Sequence, residues 1–143
     1  AARRDVEAHL LLPLQVARFA ASHVRLGGTL LFLGCTDGSR TTRELAFTSG
    51  LTAALLALTK DLALALAPVR VNLITTGFAD TPLSAAVPGD GLAARREHLG
   101  SILPIGRIVG PSDIAALAIH LMTNTAVTGA TFVIDGGQQL VEG

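Results

Sequence analysis

The chain has 143 residues, is 50% hydrophobic and 15% charged, and balances 11 basic against 11 acidic side chains. That length fits one domain, and a neutral chain without a basic stripe argues against a nucleic-acid partner. No apolar run reaches the roughly 18 uninterrupted residues of a membrane span; Lys60 and Asp61 break the stretch from Leu51 to Ala67 that comes closest.

Half-apolar composition provides more buried surface than one small domain needs. The excess points to an oligomer interface or to the face of a partner segment. The one cysteine, Cys35, has no intrachain disulfide partner, which fits a cytoplasmic protein. Ala1-Ala2-Arg3-Arg4 leads into an amphipathic pattern and not into the continuous apolar region of a secretory leader. The sequence does not begin with Met, so a fragment, or further residues upstream, is expected.

In chain order, Asp5 to Val24 reads as a helix with Pro13 as a potential bend. Gly27-Gly28 ends it. Thr29 to Leu33 is a short apolar run between glycines, the pattern of a strand buried on both faces. Cys35 to Glu44 is polar and reads as a loop. Phe47 to Ala67 is Ala- and Leu-rich and reads as a long helix, stopped by Pro68. Val69 to Ile74 resumes as a strand. Strand, helix, strand is a βαβ unit, which implies a parallel sheet and places ligands at its carboxyl edge. Phe78 to Gly110 is irregular, with a turn or two of helix expected over Ala93 to His98, and reads as a functional loop. Pro111-Ser112-Asp113 starts a helix running to about Met122, with Asp113 favouring its N-terminus. Thr131 to Ile134 is the last strand, and Asp135-Gly136-Gly137 turns the chain away.

Several of these segments occur together in a known family. Val69-Arg70-Val71-Asn72, then Thr76-Gly77 and Asp80-Thr81-Pro82, then Gly106-Arg107 with Pro111-Ser112-Asp113-Ile114, and Val127-Thr128-Gly129-Ala130 before Asp135-Gly136-Gly137, follow one another in a specific order. In this the chain resembles the C-terminal half of a short-chain dehydrogenase/reductase. The resemblance implies an α/β, Rossmann-like parallel sheet with flanking helices, and oxidation of alcohols or reduction of carbonyls with NAD or NADP. On this reading residues 1–143 form one domain without the N-terminal dinucleotide-binding half. No G-x-x-x-G-x-G occurs in the chain, so the helix N-terminus that cradles a pyrophosphate is not expected, nor is tight cofactor binding by this chain alone.

The resemblance also implies four catalytic positions: an Asn, a Ser, a Tyr and a Lys four residues after the Tyr. The matching residues here are His9, Cys35, Thr48 and Thr52, and all four depart from the pattern. The chain contains no Tyr, and its lone lysine, Lys60, lies eight residues past Thr52, roughly 12 Å along a helix. A Thr hydroxyl titrates far above a phenol and is a poor proton donor near neutrality. Thr52 brings no charge to a neighbouring oxyanion, and Cys35 is a weak hydrogen-bond donor. Weak or absent classical activity is therefore expected; the alternative is a dehydrogenase-fold scaffold or partner subunit.

Other residues admit two readings each. Cys35 is either a nucleophile activated by His9 or a small buried filler; His9 is either functional or a residue at a helix boundary. His23, His98 and His120 have no metal-ligand spacing, and no metal is expected. Lys60-Asp61 reads as a solvated helix edge. By resemblance Gly77, Ala79 and Thr81 contact the nicotinamide carboxamide, although Thr76 stands where the family usually has Pro; the other reading is a turn and cap. Phe78 to Gly106 resembles a substrate-binding loop for a small molecule, with Leu83, Val87, Leu92 and Leu99 as an apolar cover. A homo-oligomer is expected through Phe47 to Ala67, which is apolar on nearly every face; in the family this helix and the one before it pair with their copies across a two-fold axis.

Overall fold

The computed structural model describes residues 2–36, 46–85 and 91–141. Three strands, β1 (Thr29–Cys35), β2 (Arg70–Thr76) and β3 (Thr131–Ile134), form one parallel sheet in that order. Thr29 stands opposite Arg70 and Cys35 opposite Thr76; on the far side of β2, Leu73 stands opposite Thr131 and Thr76 opposite Ile134. One row, Cys35–Thr76–Ile134, therefore marks the carboxyl edge of all three strands. The parallel βαβ reading holds, and helix α3 (Ala46–Ala65) makes the crossover.

Apolar β-branched and leucine residues dictate the centre of the sheet. Val71, Leu73 and Ile74 of β2 are fully buried. The first strand differs from its expected burial on both faces: Leu33 remains 62% exposed. Among the described residues β1 pairs on one side only, so its second edge and part of one face are open. Both strands also run further than expected, β1 through Gly34 and Cys35 and β2 through Thr75 and Thr76. Their mutual pairing overrides the local turn signals of glycine and threonine.

Helix α1 (Ala2–Val6), a π-helical segment (Glu7–Leu11) and helix α2 (Leu12–His23) follow one another directly. Pro13 accounts for the π segment. A proline has no N–H and its ring clashes with the carbonyl four residues back, here His9. The chain responds with a wider turn, in which the Leu12 N–H reaches Glu7 O. In α3, Leu51, Leu55 and Thr59 form the buried stripe at helical spacing, and the Thr59 hydroxyl donates to Leu55 O at 2.8 Å. Lys60 and Asp61 are exposed, as a solvated edge requires.

The stretch expected to be irregular contains two helices, α4 (Pro82–Ala85) and α5 (Gly91–Ile102). Leu92 to Leu99 is made of good helix formers, and the glycines at Gly91 and Gly100 fall in the end turns, where they cost little. Leu99 is fully buried and belongs to the core, not to an apolar cover; Leu92 is half-buried, and the expected contributions of Leu83 and Val87 lie outside the described side chains. Helix α6 (Pro111–Thr123) has Pro at its start. Asp113 caps it by accepting the Gly110 N–H at 2.9 Å and a two-pronged bond from Arg107. The Arg107 guanidinium, with the Gly110 N–H, holds the Asp113 carboxyl down at about 2. A last short helix, α7 (Gln138–Val141), follows the turn after β3.

The family-like segment Arg70-Val71-Asn72 has a structural task. Arg70, only 7% exposed, donates to Leu121 O, Asn124 O and Val127 O through Nη1 and to Met122 O through Nη2. It thereby satisfies carbonyls left open at the end of α6. Asn72 is fully buried, donates to Val127 O at 3.0 Å and accepts the Ala130 N–H at 3.2 Å. Together they fasten the α6–β3 connection to the start of β2.

Candidate functional site

The site begins at the carboxyl end of β1. A cavity of about 210 Å³ opens there, lined by His9, Leu33, Gly34, Cys35, Leu51, Thr52 and Leu55. His9 comes from the π segment, Cys35 is the last residue of β1, and Thr52 sits in the second turn of α3. Three of the four positions singled out in the sequence thus meet in one cavity. Thr48 lies one helical turn before Thr52 in α3; its side chain is outside the described residues. The loop expected from Cys35 to Glu44 is described only through Thr36.

Two of the bland readings fail here. Cys35 is exposed, so it is not a buried filler. His9 lies inside the helical run and not at its boundary, because Pro13 widened the helix instead of ending it. Among the described residues the lining contains no carboxylate and no lysine. Among the described residues no group of three or more His, Cys, Asp or Glu is arranged to hold a metal ion. His23, His98 and His120 are exposed.

Beyond β2 the chain makes the loop Gly77–Thr81. Ala79 forms an isolated parallel bridge with Val109, and the Asp80 N–H donates to Val109 O at 3.0 Å. The Ala79 N–H has no acceptor among the described residues. Thr81 caps α4: its hydroxyl accepts the Ser84 N–H at 3.2 Å, and its own N–H donates to Ser84 Oγ at 3.0 Å. The turn-and-cap geometry is therefore present. Thr81 also lines an apolar groove of about 350 Å³ with Leu31, Leu33, Pro111, Ile114, Ala115, Ala118 and Met122. Leu33 borders both this groove and the His9–Cys35–Thr52 cavity, so the two spaces adjoin across one exposed side chain of β1.

Local sequence signals missed two contacts that shape this region. Arg96 of α5 makes an ion pair with Asp80, Nε at 3.1 Å and Nη2 at 2.5 Å from Oδ1. Gln138 of α7 accepts the Phe78 N–H at 2.8 Å. Both are long-range in sequence; a good-helix segment beside a turn was the sole hint of the first, and nothing local marks the second.

Residues 5–139 match the family described as Enoyl-(Acyl carrier protein) reductase. The chain is 34% identical over 118 residues to 4-formylbenzenesulfonate dehydrogenase of Comamonas testosteroni, covering 79% of this chain and 47% of that protein. It is 40% identical over 90 residues to 3beta-hydroxysteroid dehydrogenase 1 of Eggerthella lenta, covering 60% and 34%. It therefore spans less than half the length of either relative. A crystal structure of a small-chain dehydrogenase in complex with NADPH superposes with a TM-score of 0.90 at 27% identity, over 97% of this chain and 64% of that one. Among the described residues no helix is long and apolar enough to cross a membrane.

Proposed function

The chain belongs to the short-chain dehydrogenase/reductase family, and on that premise we propose that it serves a nicotinamide-dependent oxidoreductase whose classical proton-donor chemistry is weak or lost. The observation that carries this reading is the meeting of His9, Cys35 and Thr52 in one cavity at the carboxyl edge, beside the groove that holds Thr81.

The nicotinamide end of NAD or NADP fits the residues present. Ala79 offers a backbone N–H, Thr81 a hydroxyl, and the adjoining groove is apolar. Gly77 gives the loop its close approach to the residues behind it. The pyrophosphate end finds no Gly-rich turn in the sequence, so this chain by itself holds a dinucleotide weakly. When bound, the cofactor supplies a hydride to a small carbonyl substrate. The chain's own share is to exclude water with Leu33, Leu51 and Leu55 and to polarise the carbonyl oxygen. Thr52 and Cys35 do the latter poorly, since neither carries a positive charge nor titrates as a phenol beside a lysine does.

Titration of the native-length protein with NADH and NADPH tests the reading. Saturable binding of either is expected. Absence of binding by both would favour the second reading, a dehydrogenase fold kept as a scaffold or partner subunit, which the missing Tyr and the remote, exposed Lys60 support.

Assembly is part of the proposal. Phe19 of α2 is 66% exposed and Leu64 of α3 is 82% exposed, with Leu12 and Val16 exposed near Phe19. Apolar side chains left in water on both helices support pairing with a second copy of this chain. Sedimentation at micromolar concentration should show a dimer or tetramer; a clean monomer would contradict it. Cytoplasmic residence is likewise proposed, on the single thiol; fractionation into an oxidising compartment would speak against it.

A further inference from the structure

We infer that Gln138 is a positioning residue for the loop Gly77–Thr81, an inference that rests on the cofactor reading above. Gln138 is 6% exposed, and its Oε1 accepts the Phe78 N–H at 2.8 Å. A Cβ built on Gly77 would stand 2.5 Å from that same oxygen and 2.9 Å from Asp135 Cβ. The loop backbone is thus pressed against the turn after β3, and a glycine at 77 is what lets it lie there.

The turn is itself rigidly built. Asp135 accepts the Gly137 N–H at 2.8 Å through Oδ1 and the Gln139 N–H at 3.0 Å through Oδ2. Gly136 and Gly137 have φ of +68° and +87°, the left-handed region that side chains avoid, and a Cβ on Gly137 would stand 2.6 Å from Pro104 Cγ. Gln138 therefore projects from a fixed base.

The consequence falls on the Ala79 peptide. Phe78 gives its N–H to Gln138, Asp80 to Val109 O, and Thr81 to Ser84. Around a parallel bridge neighbouring N–H groups point to opposite sides. Committing Phe78 and Asp80 to partners leaves the Ala79 N–H turned the other way and available to a carboxamide oxygen. Without Gln138, a part-buried Phe78 N–H loses its acceptor, and the peptide can rotate to find another.

Two variants test this in the native-length protein. Gln138→Met keeps side-chain length without the acceptor; Gln138→Glu keeps an acceptor oxygen. Hydrogen–deuterium exchange reads the loop without cofactor, and calorimetry reads the affinity for NADH and NADPH. Gln138→Met should exchange residues 77–81 about tenfold faster and weaken cofactor binding about tenfold, the effect of one lost buried acceptor. Exchange in β2 should stay unchanged, and Gln138→Glu should restore both properties in large part. Unchanged loop exchange in Gln138→Met overturns the inference whether or not cofactor binds. If the wild type binds cofactor and Gln138→Met binds it equally well, the positioning role falls while the cofactor reading stands. If the wild type binds neither nucleotide, the cofactor reading fails first and takes the inference with it.

Discussion

The Arg70→Met variant is expected to be less stable than the wild type by about 3 kcal/mol, a large part of the roughly 5–15 kcal/mol typical of a domain. Arg70 is buried, and its two terminal nitrogens serve four backbone carbonyls at the end of α6 and in the connection to β3. Hydrogen bonds from a charged donor contribute more than neutral ones, and a carbonyl left buried without a partner costs its desolvation. Methionine fills the space and offers no donor. The loss should lower the melting temperature by about 10 °C for a domain of this size. Arg70→Lys should fall between the two, since one ammonium cannot reach carbonyls spread over Leu121 to Val127. Chemical denaturation that finds Arg70→Met within 0.5 kcal/mol of wild type, a spread typical of surface substitutions, would remove this account of the Arg70-Val71-Asn72 segment.

Combining Thr48→Tyr, Thr52→Lys and Cys35→Ser is expected to raise carbonyl-reductase activity of the native-length protein by about 10²- to 10⁴-fold, the usual value of general acid–base help. Cys35 and Thr52 already line one cavity, and Thr48 precedes Thr52 by one turn of α3. The new side chains would stand at the positions that the resemblance assigns to the Tyr, Lys and Ser, with a lysine one helical turn from the tyrosine to lower its pKa. Positioning of a substrate beside cofactor leaves some slow turnover without them, so the variant has a baseline to exceed. Steady-state rates across pH with each nucleotide make the comparison. A wild type already turning over at ordinary enzyme rates, with a pH profile set by one group near neutrality, would sink the prediction. It would assign proton donation to His9 or Cys35, the two titratable groups among the described residues of the cavity.

Parallel β1–α3–β2 order was legible from the sequence, because a short apolar run between glycines, a long Ala- and Leu-rich run stopped by Pro68 and a second apolar run are signals of length and composition that need no distant partner. That the chain has no Tyr and a single Lys was legible too, since counting requires no coordinates. Tertiary structure decided the rest. Leu33 is exposed because β1 is an edge strand among the described residues, and strand order cannot be read from a strand's own apolarity. His9 reaches the cavity because Pro13 widens the helix into a π turn instead of breaking it, a choice between two local responses that packing makes. Gly91 and Gly100 did not prevent α5, because the residues between them favour helix and Leu99 is anchored in the core. Arg96 finds Asp80, and Gln138 finds Phe78, across 16 and 60 residues of chain. Contacts of that separation leave no periodic trace in a single sequence; the first needs α5 folded back onto the loop after β2, and the second needs the ends of β2 and β3 side by side in the sheet.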